Sequence, residues 1–372
     1  MANFDEELAR IEEELSPPSG SGTSRRGFLA GAAAAAAGTV VATGASTASA
    51  APDVNLAAQP PAGFAPFTAP GRVIKVNKAD CMQENQLYPK ADAAKVMLEK
   101  AMTELTGKPD LVSAVGQFVH KDEIVCVKVN GIARESMGTN KELVLPFLEA
   151  LIASGVKPEN ITVLEQYIGF LHGTRVNAQN VPKGVKTVVH QNAKDNPAMA
   201  TMPDRLIPGT GVRTKFVKPF TDATAVFNFA LVKDHSICGY TGALKNMTHG
   251  CSINPHDFHV HNASPQIALM FAQDVVKTRV RLNIADVFKV MAQGGPLYKS
   301  PQHVKVHGAV MVSTDPVAID AVGWDIVEKL RADLGLRSLK DDKREPTYIK
   351  AAADLGLGMF DRAQIKLKEV TV

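Results

Sequence analysis

The stretch 124–165 constrains the fold more than any other. Ile124, Val125, Cys126, Val127 and Val129 form an apolar run too short to be read as a helix. After Asn140, a residue type that caps helix N-termini, apolar residues recur at Leu143, Val144, Phe147, Leu148, Leu151 and Ile152. Gly155 ends that pattern, and a second apolar run follows over 161–164. Strand, helix, strand in that order joins two parallel strands through a right-handed crossover.

The alternation continues elsewhere, with a helix expected over 91–105, strands over 224–229, 281–284 and 309–313, and helices over 265–276 and 316–330, the last opening on Pro316. The fold class is therefore α/β with mainly parallel sheet. Pro and Gly cluster around Pro197, Pro203, Pro208, Gly209 and Gly211, which suits a domain boundary. A single core usually stops growing at about 250–300 residues. The expectation is two Rossmann-like domains, 71–210 and 211–372, with a cleft between them and the His-rich segment in the second.

The N-terminus has a different character. Thr23-Ser24-Arg25-Arg26-Gly27-Phe28-Leu29-Ala30 precedes an Ala- and Gly-rich stretch of modest hydrophobicity, and Ala48-Ser49-Ala50 offers small residues to a signal peptidase. Residues 1–50 resemble a twin-arginine export signal, which implies the twin-arginine translocase as a partner and the periplasmic or extracellular side of the membrane as the destination, with an uncleaved tether as the variant. That route carries folded proteins, commonly ones loaded with a cofactor before export. Residues 51–70 hold five prolines and no sustained period, and read as a linker. A formal net charge of +3 gives no electrostatic footprint for nucleic acid. Four cysteines without a Cys-x-x-Cys pair give little support to a zinc ribbon or an iron–sulfur cluster.

Candidate chemistry concentrates in one segment. Five of the ten histidines, His235, His249, His256, His259 and His261, fall within 27 residues, interleaved with Cys238 and Cys251. Imidazole and thiolate are transition-metal ligands, and neutral imidazole is a general base near neutral pH. Gly239, Gly242 and Gly250 permit close approach of backbone to a ligand as well as plain turns. Lys128 and Asn130 end a strand at the edge where α/β sheets bind ligands. Asp315 sits where a strand meets a helix, and reads as an N-cap at least as readily as a catalytic acid; Asp320 lies a helical turn later. Lys233, Asp234 and Asn246 are candidate supports.

Val127-Lys128-Val129-Asn130, the run from Lys233 to Asn246, Gly294-Gly295-Pro296 and Ser313-Thr314-Asp315-Pro316 resemble the domain-of-unknown-function 362 family, over most of residues 70–330. That resemblance implies a fold and a site, not a reaction. A more distant similarity is to lactate racemase and its relatives, which carry a nickel-pincer nucleotide. His235, then Gly239-Tyr240-Thr241-Gly242-Ala243-Leu244-Lys245, then Gly250 and His261 follow that family's order. The similarity implies Lys245 as cofactor tether, Gly239, Gly242 and Asn246 around the cofactor, His261 as nickel ligand and His235 as acid/base. A second acid/base would be His172 in Gly-Phe-Leu-His-Gly-Thr-Arg. Ala243 and His249 depart from that pattern, and Arg134, with Gly131 at the acidic position, is the remnant of its substrate-binding motif. The functional expectation is an exported cofactor- or metal-dependent racemase, epimerase or oxidoreductase for a small hydroxylated substrate. The rival is a periplasmic metal-binding or metal-delivery protein using His249, Cys251, His256, His259 and His261. The oligomeric state is left open.

Overall fold

The structure, a computed structural model, describes residues 54–201 and 204–372. The export signal expected over 1–50 lies outside the described residues. Among the described residues no helix is long and apolar enough to cross a membrane.

The strands are β1 (Arg72–Asn77), β2 (Val125–Lys128), β3 (Ile161–Glu165), β4 (Lys186–Val189), β5 (Arg205–Leu206), β6 (Arg213–Thr214), β7 (Ala225–His235), β8 (Gly239–Thr241), β9 (Val280–Met291), β10 (Val304–Ser313) and β11 (Lys366–Thr371). The helices that matter below are α1 (Ala91–Thr106), α2 (Lys141–Ala153), α3 (Ile168–Thr174), α4 (Ala243–Thr248), α5 (Gln266–Phe271), α6 (Pro316–Asp333) and α7 (Tyr348–Asp354).

One nine-stranded sheet, in the order β11-β1-β10-β9-β7-β2-β3-β4 with β8 attached to β7, organises the chain. Pairing is parallel from β9 through β7, β2 and β3 to β4, and again between β1 and β11. It is antiparallel where β10 joins β1 and β9, and where β8 folds back on β7. Strands from both sides of the boundary expected near residue 210 share this sheet. The Pro/Gly cluster marks a small β5-β6 ribbon instead of a gap between two sheets.

Period-two alternation along the central strands feeds two apolar cores. In β7, Ala225, Phe227 and Phe229 join one face, while Val226, Ala230 and Val232 join the other. α1 and α2 cover the first face through Met97, Leu98, Met102, Phe147 and Leu148; α5, α6 and α7 cover the second through Ile267, Val317, Ile319 and Ile349. α1 matches its apolar spacing and stops at Gly107, whose φ of 73° places it in the left-handed region.

Several boundaries depart from the sequence expectation. β7 and β9 run on to His235 and Met291, well past the expected ends at 229 and 284, because their later residues include charged side chains that are nonetheless buried. The helix expected over 265–276 is broken into α5 and a short turn Asp274–Lys277. Asn140 precedes α2 but does not cap it with its side chain. Its Nδ2 donates to Asp286 Oδ2 at 2.9 Å and its Oδ1 accepts from Arg175 at 3.1 Å, so a buried carboxylate and a half-buried guanidinium take the side chain away from the helix end. Residues 54–70 form no helix or strand, and are fastened to the body by bonds such as Leu56 N–H to Asp274 and Ala69 N–H to Thr314.

Candidate active site

Parallel β2 and β3 end side by side on Lys128 and Glu165, while β7 runs on past Asn228, the partner of Lys128, to His235, and ligands of open α/β sheets bind at such carboxyl ends. A cavity of about 80 Å³ opens there. Lys128, Asn130, Glu165, Lys233, His235 and Thr241 line it from the strand ends, and Lys245, Asn246, His249, Gly250, His256 and His259 line it from α4 and the turns that follow.

β8 folds back on β7 and brings α4 over the strand ends, which places Lys245 Nζ between two imidazoles, 2.7 Å from His235 Nε2 and 3.1 Å from His259 Nε2. The two rings are nearly parallel, with centroids 5.4 Å apart, and His249 meets His259 edge-on at 4.6 Å. Burial pushes the Lys245 amine below its ordinary pKa. Burial, and next the nearby Lys245, hold His235, His249 and His259 well below theirs. Lys233 is brought down to about 7, first by burial and then by Lys245.

The remaining bonds of the imidazoles fix where the protons sit. His235 Nδ1 accepts from the backbone N–H groups of Ile237 at 3.1 Å and Cys238 at 3.4 Å, so its ring proton is on Nε2. His259 Nδ1 lies 3.0 Å from the Pro255 carbonyl, which can only accept, so its proton is on Nδ1 and Nε2 carries a lone pair. Lys245 must then accept from His235 and donate to His259. Only an uncharged amine does both.

On the opposite wall, Lys128 and Glu165 form a buried ion pair, and Lys128 also donates to the Val129 carbonyl at 2.5 Å. Asn130 Nδ2 donates to Asn246 Oδ1 at 3.2 Å, and Asn246 Nδ2 donates to Asn228 Oδ1 at 2.8 Å, which fixes α4 to the sheet. Asp320 accepts from the Ala243 and Leu244 N–H groups at 2.6 and 2.9 Å, capping the helix that carries Lys245; burial raises its pKa to about 7. Asp234 accepts from the Gly294 and Gly295 N–H groups and from Arg344 at 2.7 Å, holding the turn that presents Pro296 to the cavity.

Of the residues singled out from sequence, His235, Lys245, Asn246, His249, His256 and His259 meet at the cavity. His261 does not line it: it is exposed, with φ 52° in the turn after His259. His172 on α3 and Arg134 in the short helix Arg134–Met137 are exposed and away from the lining. Gly239 and Gly242 make room for the protein itself, since a Cβ there would collide with the Arg344 carbonyl and with the Asp320 carboxylate respectively. Asp315 caps α6 by accepting from the Val317 and Ala318 N–H groups. Cys251 is buried with its pKa pushed up to about 12, and all four cysteines are free thiols. Glu165, Thr241 and Pro296, which also line the cavity, were not singled out from sequence. Glu165 was reachable, since it ends β3 as Lys128 ends β2.

The description "Domain of unknown function (DUF362)" belongs to a family model that matches residues 125–325, from the start of β2 into α6. The chain belongs to this family. The matched span contains every cavity-lining residue named above. No curated protein is detectably similar to the chain.

The nickel-bearing group implied by the racemase resemblance meets a partial match. The Lys245 amine stands free of any acid and could be acylated, but His261 lies outside the cavity. His249 lies 3.2 Å from the Thr248 hydroxyl through Nδ1 and 3.4 Å from the Phe258 carbonyl through Nε2. Among the described residues no group of three His, Cys, Asp or Glu side chains is arranged to hold a metal ion. As a set, the residues do not fit that group.

Proposed function

We propose that this protein is an exported enzyme of racemase or epimerase type, acting by proton transfer on a small hydroxylated substrate. The observation that carries the reading is the uncharged Lys245 amine held between His235 Nε2 and His259 Nε2. Proton shuttling at a carbon centre needs a base that is unprotonated near neutral pH, a second group to receive the proton, and exclusion of bulk water. His259, through the lone pair on Nε2, supplies the base, the Lys245 amine supplies the second group, and their burial supplies the third. His235, whose Nδ1 is pinned by two backbone N–H groups, orients the amine. Asp320 holds the helix bearing it, and the cavity volume limits the substrate to a few heavy atoms. An oxidoreductase reading would require a hydride acceptor in addition to these groups.

The test is loss of chirality, or exchange of the carbinol C–H for deuterium in D2O, followed by NMR over a panel of small chiral hydroxy ketones and hydroxy acids. Exchange that disappears in His259→Gln supports the reading. Metal analysis and peptide mass on protein purified from an exporting host accompany it: one nickel with a covalent adduct on the Lys245 peptide would replace this account with a tethered cofactor, and several exchangeable metals without exchange activity would replace it with a metal-binding protein. Export through the twin-arginine translocase is part of the proposal. Cell fractionation should find the chain cleaved after Ala50, and Arg25→Lys/Arg26→Lys retained inside.

A further inference from the structure

Two features of the cavity remain unused by proton transfer alone. The one lone pair of the Lys245 amine borders a confined space and is engaged by the His235 Nε2–H, a bond that an entering carbonyl can displace, and no carboxylate among the described residues pairs with the amine, in contrast to Lys128 beside Glu165. The Thr241 hydroxyl, on a residue only 5% exposed and lining the same cavity, finds no hydrogen-bond partner among the described residues. A buried hydroxyl left unpaired is costly unless something that enters the site satisfies it. An amine lone pair and an unpaired hydroxyl in one small cavity match the carbon and the oxygen of a carbonyl group.

We infer that Lys245 attacks the carbonyl carbon of a small α-hydroxy aldehyde or ketone and holds it as an imine. This rests on the proton-transfer reading above and names its substrate class. The Nζ lone pair forms the N–C bond, the carbonyl π electrons move to oxygen beside the Thr241 hydroxyl, and the proton lost from nitrogen passes through His259 Nε2 to that oxygen. The resulting carbinolamine takes up a proton from solvent at its hydroxyl and expels it as water, so amine, carbonyl compound and one proton give protonated imine plus water with no change of oxidation state. In the protonated imine the C–H of the neighbouring hydroxyl-bearing carbon is acidified, because the electron pair left behind flows into the C=N bond. His259 Nε2 removes that proton, the enamine is reprotonated on either face, and water releases the epimer and the free amine.

The experiment incubates the full chain with hydroxyacetone and cyanoborohydride at pH 6.5 and maps lysine adducts by peptide mass spectrometry. Exposed lysines are almost wholly protonated at that pH, so the reduced adduct at Lys245 should exceed the mean of the exposed lysines by at least about tenfold. It should vanish in Lys245→Met and fall about tenfold in Thr241→Val. Adducts spread over exposed lysines with the Lys245 peptide unmodified would overturn the imine. Mapping of the wild-type protein decides this even if Lys245→Met does not fold. Trace acetylation of Lys245 with and without hydroxyacetone separates the two failures: protection without adduct leaves the cavity as a substrate site and removes only the imine, whereas neither protection nor adduct removes both.

Discussion

The two walls of the cavity each bury a lysine, and they solve the problem differently. On the β2–β3 wall, Lys128 is ion-paired with Glu165. On the β7–α4 wall, Lys245 bonds to two imidazoles and, among the described residues, to no carboxylate, and gives up its proton. Burying a charge without a counter-charge costs several kcal/mol, so the side chain without an acid takes the neutral form. The paired lysine is neutralised by its partner, while the one without a carboxylate beside it is the nucleophile proposed above.

The sharpest way to break this contrast is Glu165→Gln. It strands the Lys128 charge, and should cost about 3–5 kcal/mol by urea denaturation. Asp320→Ala should cost about 1–2 kcal/mol, by stripping two backbone N–H groups of α4 of their acceptor, and should weaken Lys245 adduct formation, which Glu165→Gln should affect less.

A pH series tests the imidazole side. His190, whose Nε2 lies 3.1 Å from the Gly250 carbonyl, is held down to about 3, mainly by burial. The unfolded chain binds a proton there below about 6.5 and the folded chain does not, so stability is full above that pH and is lost as pH falls from about 6.5 toward 3. At pH 5.5 this amounts to about 1 kcal/mol, and His190→Gln should flatten the slope of urea midpoints between pH 7.5 and 5.5. The smallest effect belongs to Lys245→Met, about 1 kcal/mol or less, because no charge is lost and water entering the cavity can serve both imidazoles. A loss as large as that of Glu165→Gln would mean that Lys245 is charged, and the contrast would disappear.

The sequence made much of this legible, and the reasons for the rest are physical. The crossover from β2 through α2 to β3 stands out because period 2 gives way to period 3.6 and back. The ends of β7 and β9 do not, since Lys233, Asp234, Asp286 and Lys289 read as surface residues until the pairing that buries them is known. His235 could be found because its segment is dense in histidines, and Lys245 because the racemase resemblance pointed to it. That His259, and not His261, joins them depends on positive φ at His261 and Asn262, a backbone reversal that no spacing rule encodes. The partners of Lys128 and Asp320 come from 37 and 76 residues away, distances at which only the folded sheet reveals them.

The place of β1 in the sheet has a consequence for how the molecule is made. Its strand neighbours are β10 and β11, more than 220 residues later in the chain, so during synthesis its two edges stay unpaired until those strands have been made. Partly translated chains therefore hold an open sheet margin. Closing that margin brings β1 against β11, two segments nearly 300 residues apart that lie zipped along the same border.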